Sequence, residues 1–183
     1  MPNCFALDSL VRRAQKGDKA AYAELVRAYL RPSYVIALAK VVRIEDAEVI
    51  SHETLYGALR EIETCGRARY FSAWLFQRVR NRAQNFLRQR RDRASLRDMT
   101  GAGQERPSPK PTREQDVLLS ALLLLDPTAR EIVLLHDLAG WSHDPIARAL
   151  KIHQEESRRR LVDARRLLHD RLGHPPMTGS PRT

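Results

Sequence analysis

Residues 71 to 91 read FSAWLFQRVRNRAQNFLRQRR, with six arginines and no acidic residue. At about 3.6 residues per turn, Phe71, Leu75, Val79, Ala83 and Phe86 fall along one side of a helix. Arg80, Gln84, Arg88 and Arg91 fall on the other, with Trp74 and Asn81 at its edge. Such a helix can pack one side on a core and turn cations toward a polyanion. Rings beside cations suit nucleic acid with exposed bases, because rings stack on bases and cations neutralise phosphates. A core helix with a merely solvated basic face has the same pattern, so the rest of the chain must decide between them.

The charge balance favours an anionic partner. Lys and Arg total 32 against 22 acids, for a net charge of +10 and a pI near 10.3, which points to nucleic acid before membrane. Cys4 and Cys65 form no CxxC pair, as expected of a reducing compartment without a disulfide framework. The opening MPNCFALDSLVRRAQKGD turns charged too early for a signal peptide. No apolar run approaches the roughly 20 residues that span a bilayer. The expected setting is cytoplasmic, with no membrane partner. His52, His136, His143, His153, His169 and His174 are scattered, and no phosphate-binding or nucleophile motif occurs. No catalytic residue, metal site or cofactor is expected.

The periodicity predicts an all-α chain of two small helical domains, residues 1–91 and 116–172, joined by a flexible linker over 92–115 and followed by a disordered tail, 173–183. In the first domain, Asp8 or Ser9 caps a short helix to Gln15, and Asp18 caps a second. Pro32 bends or breaks that helix before a third piece, Tyr34–Val42. A fourth runs from about Glu45 to Ile62, with Glu45, Asp46, Glu48 and Glu53 clustered toward its start. Thr64–Tyr70 is a loop turning at Gly66. The linker carries Gly101, Gly103, Pro107, Pro109 and Pro111 and few large apolar residues. In the second domain, Val117–Leu125 is apolar on nearly every side, so it should be buried or bind something. Asp126–Pro127 starts a helix to Leu138. Ser142 caps a helix His143–Leu150, and a last helix runs to about Leu172 with Leu161, Ala164, Leu168 and Leu172 inward. Ser142–Leu161 has the layout of a helix-turn-helix: small Ala147 at the crossing, a turn at Lys151–Ile152, then a helix carrying Arg158, Arg159 and Arg160. A three-helix bundle with a basic outer helix would read alike.

Four collinear blocks resemble a bacterial RNA polymerase sigma factor of the sigma-70 family, extracytoplasmic-function (group IV) type. They are GDKAAYAELVRAYLRPSY (17–34), DAEVISHETLYGAL (46–59), the Phe71 segment and LLLLDPTAREIVLLHDLAGWSHDPIARALKIHQEESRRRLVDARRLL (122–168). The resemblance implies a sigma-2-like domain that binds core polymerase and reads and melts the −10 element. It implies a sigma-4-like domain that reads the −35 element. On this basis Thr64, Cys65, Arg67, Arg69, Trp74, Arg80, Asn81, Gln84 and Arg88 are expected at the −10 strand. Ser142, Gln154, Glu155, Glu156, Arg158, Arg159, Arg160 and Val162 are expected at the −35 groove, and Asp46, Glu48, His52, Glu53 and Tyr56 at the polymerase clamp. The implied partners are core RNA polymerase through β and β′, promoter DNA in double- and single-stranded form, and an anti-sigma factor. Some positions depart from the family pattern. Val49 and His52 replace the usual Asp and Gln, which bears on the clamp contact. Lys151 replaces the turn glycine, and Glu155–Glu156–Ser157 replace a Gly-Thr-Val-type stretch. Ser157 is expected to remove a core contact, and the acids to repel phosphate while accepting from cytosine N4. The alternative reading is a sigma-like decoy that binds an anti-sigma protein without productive promoter opening.

Overall fold

A computed structural model describes residues 4–100 and 112–173, with side chains described from 7 to 95 and from 112 to 173. Among them there are helices and no strand. Helix α1 (Cys4–Gln15) precedes α2 (Lys19–Val41), whose first turn is capped by the Asp18 carboxylate accepting from Ala20 and Ala21 N–H. That bonding, with Arg13 beside it, holds the Asp18 carboxyl below its usual pKa. The helix does not stop at Pro32. It continues to Val41 because Pro32 itself and Tyr29, Val35, Ile36 and Leu38 on either side are buried. Packing outweighs the one backbone bond that proline removes. Helix α3 (Ile44–Arg60) is followed by two short 3₁₀ turns, Ile62–Cys65 and Ala68–Tyr70. Gly66 between them has φ of +68°, which only glycine adopts freely.

Helix α4 (Phe71–Thr100) runs past Arg91 through residues expected to be linker. Helix α5 (Arg113–Leu123) starts on a capping box between Thr112 and Gln115. The glycines and prolines of the expected linker, and the tail beyond Gly173, lie outside the described residues. Helix α6 (Pro127–Val133) has the expected Asp126 cap and gives way to a π turn, Leu134–Leu138. Helices α7 (His143–Leu150) and α8 (Gln154–Gly173) follow. Ser142 sits at the α7 N-cap position without a side-chain capping bond, against expectation. Lys151 takes φ of +58° in the turn, the conformation that favours glycine.

The helices share a single continuous core. Leu25, Tyr29, Ile36, Phe71, Leu75 and Phe76 of the first half belong to the same buried cluster as Ile132, Leu135, Trp141 and Ile146 of the second. The joint is aromatic. Trp141 lies 5.1 Å from Phe76 and 6.0 Å, edge-on, from Tyr29. Phe76 lies off the expected stripe on α4 because the helix buries two sides, one against α2 and α3 and one against the second half. Leu172, expected inward, is exposed, as are Leu118, Leu123 and Leu124 of the apolar α5 segment.

Candidate nucleic-acid interface

Helix α4 presents its charged side as a graded surface. Asn81, Gln84, Arg88 and Arg91 are exposed, and Asn81 Oδ1 accepts from Gln77 Nε2 at 2.9 Å. Trp74 is half-buried against Phe71, and the Arg78 guanidinium covers its ring at 5.2 Å. Arg78 is held there by Glu61, 2.5 Å away. A base stacking on Trp74 must therefore displace or join Arg78. Sequence spacing offered this residue, four after Trp74 and so on the same helical face, but the arginine-rich pattern did not single it out.

Arg80 departs from expectation. It lies on the polar side of α4, but it faces the second half of the molecule and not solvent. Its Nε donates to both carboxylate oxygens of Glu131 at 3.0 Å and a terminal nitrogen to one at 2.5 Å. Lys40 Nζ lies 3.6 Å from the same carboxylate. The Glu131 side chain is 5% exposed and that of Arg80 17%. Next to this pair, Arg130 is buried and donates to four carbonyls: Leu122, Leu123 and Leu125 at the end of α5, and Ala39 on α2 at 2.8 Å. Arg130 thus donates to carbonyls at a helix end, where intrahelical donors run out, and ties the two halves together. Burial lowers the Arg130 pKa, while Asp126 and Glu131 oppose the shift. No local sequence pattern marks Lys40, Arg130, Glu131 or Trp141 as partners of the first half.

The acids expected at the polymerase clamp pair with α4. Glu53 meets Arg82 at 2.6 Å and Asp46 meets Arg90 at 3.2 Å, with Arg43 3.7 Å from Asp46. With Glu61–Arg78 they form a ladder between antiparallel helices. Between its rungs lies a polar groove of about 480 Å³ lined by Glu53, Thr54, Gly57, Arg78, Asn81, Arg82 and Asn85. Glu48, His52 and Tyr56 stand exposed on α3, with the His52 and Tyr56 rings stacked at 6.2 Å.

In the 61–70 loop, Thr64, Arg67 and Arg69 are exposed. Gln15 of α1 secures the loop by donating to the Ile62 and Gly66 carbonyls at 3.2 and 3.3 Å. Cys65, expected at DNA, is turned inward. Its thiol is buried, and burial pushes its pKa up to about 11.

The helix-turn-helix is formed by α7 and α8. Gln154, Glu155, Arg158, Arg159 and Val162 are exposed along α8. The acids engage the arginines of their own helix: Glu155 meets Arg158 at 3.2 Å and Glu156 meets Arg160 at 2.8 Å, with Asp126 3.4 Å from Arg160. Among the described residues, Arg159 and Arg166 enter no ion pair. Ser157 does not leave a gap. It is fully buried, and its hydroxyl bonds His143 Nδ1 at 3.0 Å. A polar contact replaces the expected apolar one. Burial, then the neighbouring charges of His136, Arg158 and Arg165, lower the His143 pKa from the ordinary 6.5. Burial pushes the Asp137 carboxyl up, but hydrogen bonds from Arg165 and His136 outweigh it and its pKa falls.

An arginine- and aromatic-bearing helix in one half and a helix-turn-helix in the other define a helical DNA-binding protein of two units. Residues 25–93 match the family model for Sigma-70 region 2, and residues 115–168 match that for Sigma-70, region 4. The chain belongs to the sigma-70 family of RNA polymerase sigma factors, extracytoplasmic-function type. It is 28% identical to the RNA polymerase sigma factor NccH of Alcaligenes xylosoxydans xylosoxydans, over 86% of this chain and 90% of that one. It is 24% identical to the ECF RNA polymerase sigma-E factor of Haemophilus influenzae, over 90% of this chain and 94% of the relative. In fold it is similar to CnrH, solved in complex with the cytosolic domain of CnrY, with a TM-score of 0.64 over 91% of this chain and 97% of CnrH at 23% identity. It is also similar to RpoE, solved with the anti-sigma factor NepR from Bartonella quintana, with a TM-score of 0.56 over 84% of this chain and 98% of RpoE at 21% identity. Sigma factors regulate transcription and are not catalysts, and the family implies core RNA polymerase as partner. Among the described residues no helix is long and apolar enough to cross a membrane, and no cluster of three or more metal-ligating side chains occurs.

Proposed function

We propose that the chain binds core RNA polymerase in the cytoplasm and directs initiation at promoters read at two elements. Helix α4 and the 61–70 loop meet the −10 strand through Trp74, Arg80 once its partner Glu131 is displaced, Asn81, Gln84, Arg88, Thr64, Arg67 and Arg69. Helix α8 meets the −35 groove through Gln154, Arg158, Arg159 and Val162, with Ser142 at the start of α7. The observation that carries this reading is the run of exposed amides and arginines from Asn81 to Arg91 on a rigid helix, beside a half-buried ring. Amides hydrogen-bond bases, the ring stacks on them and the cations track phosphates. Asp46, Glu48, His52, Glu53 and Tyr56 offer a separate face on α3 to the clamp. The test is transcription in vitro with purified core polymerase and genomic DNA fragments. A discrete set of start sites is expected, and its absence with intact core binding overturns the reading.

An anti-sigma factor is a second partner on this reading, since both neighbours in fold were solved with partner proteins, one of them a named anti-sigma factor. Exposed Val49 and His52 on the clamp face favour the decoy as the alternative function. A decoy would bind core or an anti-sigma protein and open no promoter in the same assay.

A further inference from the structure

The two halves meet through a charged pair set beside an aromatic joint, and the pair uses a residue of the −10 face. A guanidinium binds a carboxylate and a phosphate in the same forked geometry. Arg80 has that geometry with Glu131, and Lys40 adds a second cation. An anion already fills the place that a backbone phosphate would take. Reading a −10 and a −35 element together also needs the halves about two duplex turns, or roughly 70 Å, apart. The joint instead holds α6 within hydrogen-bond distance of α4.

We propose that Glu131 is a built-in stand-in for promoter phosphate. In the free chain it occupies Arg80 and Lys40, and this part of the −10 face is released only when core polymerase draws α6 away from α4. The proposal rests on the reading of α4 as the −10 face.

The pair is shielded from solvent, so salt weakens it less than an exposed pair. Parting the halves strips Glu131 of both Arg80 and Lys40 unless something replaces them, and Trp141 must leave Tyr29 and Phe76 at the same time. Single-stranded DNA alone supplies a partner for Arg80 but nothing for Glu131 or Trp141. A polymerase surface that takes up the second half supplies the rest. The free chain should therefore bind single strands poorly and gain that ability in the holoenzyme.

The full chain is titrated with a fluorescein-labelled oligo-dT of about twelve nucleotides, within the usual site size of single-strand binders, and anisotropy is read. Glu131→Gln keeps the shape and removes the anion, and affinity should rise about tenfold. Glu114→Gln makes the same charge change at an exposed position on α5 and should leave affinity within about twofold. Arg80→Gln added to Glu131→Gln should abolish the gain. Equal affinities for the two single variants overturn the proposal. Should Glu131→Gln fail to fold, the unaltered seam is tested by energy transfer between dyes on Gln89→Cys and Val162→Cys. Efficiency should be high in the free chain and fall when core polymerase is added, and no change on core binding overturns the proposal. Arg80→Gln is also assayed in the holoenzyme for permanganate reactivity of melted thymines at a promoter it selects. If that variant is impaired but Glu131→Gln gains nothing, the −10 reading stands and the stand-in fails. If Arg80→Gln opens promoters normally, the role of Arg80 in the −10 reading fails, and the stand-in with it.

Discussion

Asn81 and Arg80 are adjacent, yet the structure separates what their substitutions report. Asn81 is exposed and bonded only to Gln77 among the described residues. Asn81→Ala should change stability by less than about 0.5 kcal/mol and impair promoter opening, scored by permanganate reactivity, with core binding retained. Undiminished opening would remove Asn81 from the −10 face. Arg80→Ala removes the main partner of a carboxylate whose side chain is 5% exposed. Removing one partner of a buried pair costs about 3–5 kcal/mol, and with Lys40 still 3.6 Å away the loss here should be on the order of 2–3 kcal/mol by the same argument. Chemical denaturation of the two variants side by side measures the difference, and equal midpoints would show that Glu131 finds other neutralisation. A helical wheel placed Arg80 correctly on the polar side of α4, but Glu131 is 51 positions away in the chain and no local period points to it. Cys65 is buried in a segment that reads as an exposed loop, for a related reason. A loop reading treats all its residues as exposed, whereas the 3₁₀ turn points this thiol into the core.

At the scale of elements, α3 and α4 are held by the ladder as well as by their apolar stripes. Its rungs at Glu53–Arg82 and Glu61–Arg78 are largely exposed, and such pairs are worth about 0–1 kcal/mol each. Asp46→Asn with Glu53→Gln should therefore lower the affinity for core polymerase, measured by anisotropy, while stability falls by no more than about 2 kcal/mol, most of it at the less exposed Asp46. Reversal to lysine is a poorer test, because it sets like charges against Arg82 and Arg90. Unchanged core affinity in the neutral variant would take these acids out of the clamp face. The α7–α8 unit makes a different prediction. The His143 pKa is lowered in the fold, so its neutral form is favoured there. Its contribution to stability is complete above the ordinary histidine value of 6.5 and is lost progressively as pH falls below it. The melting temperature should drop between pH 7.5 and 5.5, and less so in His143→Gln, with a pH-independent difference arguing against this histidine as the source. The helix order, the Asp18 and Asp126 caps and the helix-turn-helix were legible because each rests on local chemistry. Three features were not. Pro32 lies inside a helix because packing on both sides overrides it, Phe76 is buried because α4 has two buried sides, and Ser157 keeps a partner because His143 happens to reach it.

Over the whole molecule, the chain carries two matched sigma regions yet forms one core. These fit together if the joint is a seam that can part. The span available for parting is shorter than the composition suggested. Helix α4 extends to Thr100 and the α5 cap begins at Thr112, so the connection between them reaches at most about 40 Å when extended, at about 3.3–3.6 Å per residue. The additional turns of α4 past Arg91 restore part of that reach as a rigid arm, rising about 1.5 Å per residue. Cleavage tests both the connection and the seam. Residues 101–111 contain Gly101, Gly103, Pro107, Pro109 and Pro111, a composition prone to nicking. Arg106 and Lys110 are each followed by proline, which makes trypsin a poor choice. A glutamate-specific protease should cut after Glu105 while sparing Glu131, because the latter is buried. The nicked halves should then co-elute on size exclusion, held by Trp141 against Tyr29 and Phe76 and by Arg130 donating to Ala39. Adding core polymerase should shift the first half, and the second only as far as it binds core on its own. If the nicked halves separate at once in the absence of core, the shared core is too weak to close the free chain, and the region between α4 and α5 would be what keeps the halves together.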